Sequence, residues 1–338
     1  MDRFVQIKSL TKEYYGSGLL QRKKHAVRAV DRVSFSIDRN TVFGLVGESG
    51  CGKTSLARSM LYLDPPTEGE VWIDKVLLGD LSVRALRAFR KRMQIVFQDP
   101  NSALNPKMRI DDSLAEGLVN MGVPPDERAR RIGRLLDRVG IAGSHRRRYP
   151  HEFSGGQKQR LVVARALSTS PDFLILDEPV SNLDVSIQAQ IINLMLDLKD
   201  ELALTYLFIS HDLNLVAYLS DIIGVMYQGR LVELGSTANI MKQACHPYTQ
   251  KLFSSVPGMQ SLDPLEGDYG HQNARKAHLA SGFTGCPYAS DCPESAESCK
   301  SSTPDLKEVR PGHLVACIKT AHRQYDIYPQ VNGKNRKE

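Results

Sequence analysis

Residues 47–54 read GESGCGKT, a complete G-x-x-x-x-G-K-[ST] pattern lying between an apolar run, VFGLV, and a helical pattern, SLARSMLYL. Strand, glycine-rich turn and helix in that order form a cradle for phosphate, which restricts the fold more than any other feature of the chain. Gly47, Gly50 and Gly52 lack β-carbons, so successive backbone N–H groups can converge on one anion at a helix start, where the dipole also favours negative charge. Glu48, Ser49 and Cys51 complete the loop, and Ser55 follows it on the helix. Lys53 is placed to neutralise the β- and γ-phosphates of a nucleotide, and Thr54 offers a hydroxyl to Mg²⁺, an ion that takes oxygen ligands. Cys51 reads as a tolerated small residue rather than a redox switch.

A second element supplies acid. Residues 173–178, FLILDE, are an apolar strand candidate ending in two carboxylates, which would stand at the carboxyl edge of a sheet where open α/β folds bind ligands. Asp177 suits the Mg²⁺ shell through water, and Glu178 suits polarising an attacking water. The competing role, an acidic cap on the next helix, is disfavoured by the phosphate loop upstream.

Around these elements the first 255 residues alternate short β-branched runs with longer helical patterns, the pattern of a mostly parallel sheet covered by helices. Strands are expected at residues 41–46, 93–97, 173–176 and 204–209, each apolar on both faces. Between residues 99 and 167 charged amphipathic patterns replace the strand signals, so a helical subdomain is expected there. A Pro-, Gly- and Ser-rich linker is expected at 256–285, a small, irregular Cys-rich extension at 286–323 and a frayed tail at 324–338. At 41% apolar and 24% charged residues over 338 positions, the composition excludes a disordered chain. No run reaches the roughly 18–20 apolar residues of a membrane span, and MDRFVQIKSL lacks a secretory core, so the chain is expected in the cytosol. The basic stretches at 84–92, 128–134 and 146–148 are interleaved with Leu, Phe and Ile. With a formal charge of only +6 they read as solvated helix faces, with no nucleic acid as partner.

Residues 153–160, FSGGQKQR, come after the phosphate loop and ahead of FLILDE. In this order the chain resembles an ABC transporter ATPase. The resemblance implies an α/β P-loop NTPase cassette, with a RecA-like core and an inserted helical subdomain, that binds ATP and Mg²⁺. It implies that Ser154, Gly155, Gly156 and Gln157 close over the ATP held by a second cassette in a head-to-tail dimer. It further implies that Gln98 senses Mg²⁺ and the attacking water, that DPNSALNP after it grips a membrane partner, and that SNLD at 181–184 crosses to the opposite site. His211, in FISHD, resembles the γ-phosphate sensor. Tyr14 resembles the ring that stacks on adenine, with Tyr15 as its competitor.

QIVFQDPNSALNP, YPHEFSGGQKQR, EPVSNLDVSIQAQI and HPYTQKL are together similar to the oligopeptide/dipeptide importer ATPases, a group that also serves nickel. That implies a peripheral subunit at the cytoplasmic face of the inner membrane. It would power solute import, of di- or oligopeptides, through two permease subunits fed by an extracytoplasmic solute-binding protein, and its partner cassette would be a sister subunit or an identical one. Two rivals are an ABC ATPase of DNA repair or translation, which would bring a second cassette or a long coiled coil, and an accessory to a cytosolic enzyme complex, which would lack the cysteines. Cys286, Cys292, Cys299 and Cys317 follow C-x5-C-x6-C-x17-C, without the C-x2-C pair of a zinc ribbon. The resemblance favours a structural [4Fe-4S] cluster, with zinc or no metal as alternatives.

Overall fold

The computed structural model describes residues 3–15, 26–254 and 284–319. Two long strands open it, β1 (Arg3–Tyr15) and β2 (Ala26–Asp38), paired antiparallel with several register shifts. The fully buried β3 (Val42–Val46) then feeds the phosphate loop and α1 (Lys53–Met60). The strands β4 (Glu68–Ile73) and β5 (Val76–Leu77) complete an antiparallel sheet of order β2-β1-β4-β5. Helix α2 (Val83–Phe89) leads to β6 (Met93–Val96).

Only helices follow until the next strand: α3 (Pro100–Ala103), α4 (Ile110–Asn120), α5 (Pro125–Arg138) and α6 (Gly155–Leu167). This is the segment where a helical subdomain was expected. Helix α5 shows why it folds so: Ile132, Leu135 and Leu136 are buried on one side, each worth about 1.5–3 kcal/mol, while Arg131 pairs with Glu127 on the other.

The chain then returns to the core through β7 (Phe173–Asp177), α7 (Val185–Leu202), β8 (Thr205–Ile209), α8 (Leu213–Leu219), β9 (Ile222–Tyr227) and β10 (Arg230–Ser236). The helices α9 (Thr237–Gln243) and α10 (Pro247–Phe253) follow, and the cysteine-bearing segment adds α11 (Glu297–Ser301), β11 (Lys307–Arg310) and β12 (His313–Val315).

The main sheet has the order β11-β12-β10-β9-β3-β8-β7-β6. Its members from β9 to β6 run parallel and the remainder antiparallel. Every residue of β3, β7 and β8 is buried, as two-sided apolar strands require. One face of this sheet packs through Phe43, Leu45 and Ile175 on α1 and the antiparallel sheet; the other packs on the helices through Val42, Leu174 and Phe208.

All four expected strands form, with ends shifted by at most one residue. Two features go beyond the sequence reading. The antiparallel sheet is one, because its bulged strands lack a clean alternation. The other is that the extension expected to be small and irregular enters the core sheet, β12 pairing Val315 with Glu233 and Leu314 with Leu234 on β10. This covers an edge of β10 that would otherwise expose unpaired backbone. Apart from residues 284 and 285, the expected linker lies outside the described residues, as do residues 320–323 of the extension and the whole tail.

Candidate active site

The phosphate loop leaves the carboxyl end of β3, which lies between β8 and β9 in the middle of the parallel strands. Its shape depends on glycine: a β-carbon on Gly47, at φ 152°, would stand 2.1 Å from the Met226 carbonyl oxygen, and one on Gly52, at φ 109°, 2.1 Å from that of Ala29. Gly52 is the N-cap of α1, so no side chain satisfies the first N–H groups and no acidic residue lies in the first turn. Those donors suit an anion.

Lys53 is buried, and its ammonium donates to the carbonyls of Gly47 at 2.6 Å and Glu48 at 3.0 Å. Two of its three protons hold the amine within the loop, and the third, which faces only the weak acceptor Cys51 Sγ at 3.9 Å, suits a terminal phosphate. Cys51 is buried beside it, and burial pushes its thiol pKa up. That environment disfavours the thiolate a redox switch needs, in line with the sequence reading.

The acidic strand arrives as expected. Asp177 ends β7 and is buried; Thr54 hydrogen-bonds its carboxylate, and burial raises its pKa. Oδ1 of Asp177 has no hydrogen-bond partner. A buried, half-satisfied carboxylate beside the loop threonine fits an oxygen-seeking Mg²⁺, held by Thr54 and Asp177 directly or through water. Glu178 turns into the left-handed region at φ 53°, and its N–H donates to the Ile209 carbonyl at 2.9 Å. This turn redirects the chain after β7. The Glu178 side chain is only 14% exposed, and its Oε2 lies 2.7 Å from Nδ1 of His211, which follows β8. The structure thus joins two residues 33 positions apart that the sequence assigned separate roles. Because an ionised carboxylate only accepts, Nδ1–H of His211 donates and orients Glu178.

Gln98 lies just beyond β6, exposed, at the entrance to α3. Asp99 caps α3, accepting from the N–H groups of Asn101 at 2.9 Å and Ser102 at 3.2 Å. The loop is tied to α6 by Lys158, whose Nζ donates to Asn101 Oδ1 at 2.9 Å, and by Arg165, which donates to the Ala103 carbonyl at 2.6 Å.

At the start of α6, Ser154 and Gln157 cap each other's backbone, at 3.3 and 3.1 Å. Ser154 and Gly155 are exposed. Gly156 has a packing reason of its own, since a β-carbon there would meet Ile187 of α7 at 2.6 Å. Tyr14 is exposed, with Lys12 over its ring at 5.2 Å, whereas the Tyr15 hydroxyl donates to Glu13 at 2.9 Å.

A contact that sequence reasoning missed completes the loop. The N–H of Glu48 donates to the hydroxyl of Tyr248 at 3.1 Å, across 200 positions.

Comparison with known proteins identifies the family. Residues 30–181 match the family described as ABC transporter, and residues 232–299 match the oligopeptide/dipeptide transporter C-terminal region. A putative peptide import ATP-binding protein of Brucella ovis is 43% identical over 324 residues, 93% of this chain and 97% of that protein. The chain belongs to the ABC transporter family.

It is an ABC-type ATPase with the P-loop NTPase cassette fold. Its relatives include the oligopeptide transport ATP-binding protein AppF of Bacillus subtilis, 45% identical over 89% of this chain and 92% of AppF. Among solved structures, the ATP-binding cassette MJ0796, a dimer in a post-hydrolysis state bound to ADP and Pi, superposes with a TM-score of 0.60. It is 27% identical, covering 69% of this chain and 98% of that one.

Proposed function

We propose that this cassette powers peptide import, binding Mg–ATP at residues 47–55 with Asp177 and hydrolysing it with Glu178. The observation that carries the catalytic part is the convergence of Lys53, Thr54, Asp177 and the Glu178–His211 pair at the carboxyl ends of β3, β7 and β8. Glu178 orients and polarises the attacking water, His211 aligns Glu178, and Lys53 with the loop N–H groups takes charge developing on the phosphate. Bound Mg²⁺ would neutralise the phosphate oxygens. The ring of Tyr14 is the platform for adenine. The peptide assignment rests on relatives named for peptide import and on the C-terminal region they share.

Hydrolysis drives transport when ATP prefers one arrangement of a cassette pair to another. Ser154, Gly155 and the strongly exposed Val185 after SNLD form the surface through which a second cassette, arranged head to tail, would close over the nucleotide. A groove of about 1700 Å³ between the core and the helical segment is lined by Arg84, Phe97, Ser102, Val119, Met121 and Arg128. Val119 and Met121 are exposed apolar side chains there, suited to a helical segment of a membrane permease. Gln98 follows β6, which pairs with the acidic strand β7, and precedes α3, whose Ser102 lines the groove, so closure at ATP can reach the permease through α3 and α6. Among the described residues no helix is long and apolar enough to cross a membrane. In this reading the chain meets the bilayer peripherally, through its permeases. In membranes holding the assembled transporter, a thiol crosslinker on Ser102→Cys is expected to capture a permease subunit. Recovery of cytosolic proteins or nucleic acid alone would overturn this docking.

The four clustered cysteines suit a [4Fe-4S] cluster with a structural role. Cys286, Cys292, Cys299 and Cys317 line one small cavity with His246 and Tyr288. Burial, reinforced by the other three sulfurs, pushes the Cys286 thiol up to about 11. A single zinc draws sulfurs to within about 4 Å of one another. Among the described residues, however, the one set of three or more such ligand atoms within 4.8 Å is Glu233, Cys245 and His313. The cluster is preferred to zinc because the cysteines lack the C-x2-C pair of a zinc ribbon. The carboxylate of that compact set is already satisfied by the N–H groups of Cys245 and His246 and by His313. Anaerobic purification is expected to yield about four irons and four sulfides per chain, lost in Cys292→Ser. One zinc without sulfide would reject the cluster and keep the site, and a metal-free folded segment would reject both.

A further inference from the structure

The contact between Tyr248 and the phosphate loop gives a residue outside the nucleotide motifs a place in the ATP site. His246 caps α10 by accepting the Tyr248 N–H on Nδ1 at 3.1 Å, and its own N–H donates to Glu233 at 2.9 Å. Burial lowers the His246 pKa to about 4, so the ring stays neutral and Nδ1 stays an acceptor. Pro247 opens the helix, and Tyr248, 1% exposed, projects back to the loop.

The peptide unit it meets is the one joining Gly47 to Glu48. A trans peptide is planar, with N–H and C=O on opposite sides. Holding the Glu48 N–H on the Tyr248 oxygen therefore aims the Gly47 carbonyl the other way, where it accepts from the Lys53 ammonium at 2.6 Å.

Tyr248 is itself held by rings. Tyr227 lies 4.5 Å away between centroids and Tyr288 5.4 Å; Tyr227 and Tyr288 are 5.2 Å apart, edge to face. Tyr288 belongs to the cysteine-bearing segment, two positions after Cys286. The segment is pinned to the cassette by the pairing of β12 with β10, by the buried His313–Glu233 contact at 2.7 Å, and by the Tyr227 hydroxyl donating to Asp291 at 3.2 Å.

We propose that Tyr248 is a positioning residue that sets the Gly47–Glu48 peptide plane and through it Lys53, and that Tyr288 holds Tyr248 in place. The cysteine-bearing segment is then a working part of the ATP site. This deepens the proposed nucleotide site and rests on it.

The test is Mg–ATP affinity of the full chain, with hydrolysis in the assembled transporter, for Tyr248→Phe, Tyr288→Leu, the double variant and Lys53→Ala. Loss of the hydroxyl removes the acceptor that fixes the Glu48 N–H, so Tyr248→Phe is expected to weaken Mg–ATP binding by about 3- to 10-fold. At saturating ATP its kcat is expected to fall as well, though by less than in Lys53→Ala, because Lys53 takes charge developing on the phosphate and Tyr248 acts on the reaction only through it. Tyr288→Leu is expected to weaken binding in the same direction, and the double variant to bind no more weakly than Tyr248→Phe, since both act through one hydroxyl. Parental affinity in Tyr248→Phe overturns the proposal, whether or not the melting temperature falls, and makes the residue a packing element only. Additive losses in the double variant overturn the part assigned to Tyr288. Lys53→Ala separates the two readings: if it too binds Mg–ATP normally, the nucleotide site itself is misplaced, whereas if it alone loses binding, only the role of Tyr248 falls.

Discussion

Glu178→Gln in the assembled transporter is expected to keep Mg–ATP bound while turnover falls by about 10²–10⁴-fold, the range for loss of a positioned general base. Glutamine conserves the volume of a side chain that is only 14% exposed, and its carbonyl oxygen still accepts from Nδ1 of His211 at the 2.7 Å position. The left-handed turn at residue 178 is likewise kept, because both side chains share the same β-carbon. What is lost is the negative charge that polarises water. Single-turnover hydrolysis together with equilibrium nucleotide binding separates the two effects. A variant that hydrolyses at the parental rate, with a hydrolysis-dead partner cassette, would remove Glu178 from the mechanism.

Lys53→Ala is expected to act earlier, on binding. A hydrogen bond to a charged group contributes about 1.5–3 kcal/mol, which corresponds to about 10- to 150-fold in the dissociation constant. The alanine also removes the donor that holds the Gly47 and Glu48 carbonyls, so the loop loses its internal tie as well as its cation. Titration of the full chain with Mg–ATP measures the loss. Parental affinity in this variant would place the nucleotide elsewhere.

How much of this was legible beforehand follows from distance along the chain. The loop, the acidic strand and the residues after β6 and β8 could be read because each element is local: an apolar run of four to six residues ending in a polar group needs no partner to be seen. Gly156 was legible as part of FSGGQKQR, yet its packing on Ile187 was not, since the reason lies on another helix. The pairing of Glu178 with His211 was hidden for the same reason, although both roles had been assigned. The largest gap concerns the C-terminal segment. The cysteines lie far along the chain from the ATP motifs, and a composition shift marks a linker without saying where the chain beyond it docks. Its return was written only in pairings far apart in sequence, such as Val315 with Glu233 and the Glu48 N–H with Tyr248. HPYTQ was recognisable as a marker, but its chemistry emerges once His246 is seen to cap α10 and Tyr248 to reach the loop.

Coupling between this ATP site and solute movement is tested most directly by peptide uptake into proteoliposomes. These would contain the permeases, both cassettes and Mg–ATP on the cassette side, with a peptide-loaded binding protein on the other. Uptake is expected to require ATP, to rise in step with hydrolysis, and to fall together with it in Glu178→Gln. Undiminished uptake by Glu178→Gln with its hydrolysis abolished, or hydrolysis that proceeds at full rate with no peptide crossing, would contradict the account.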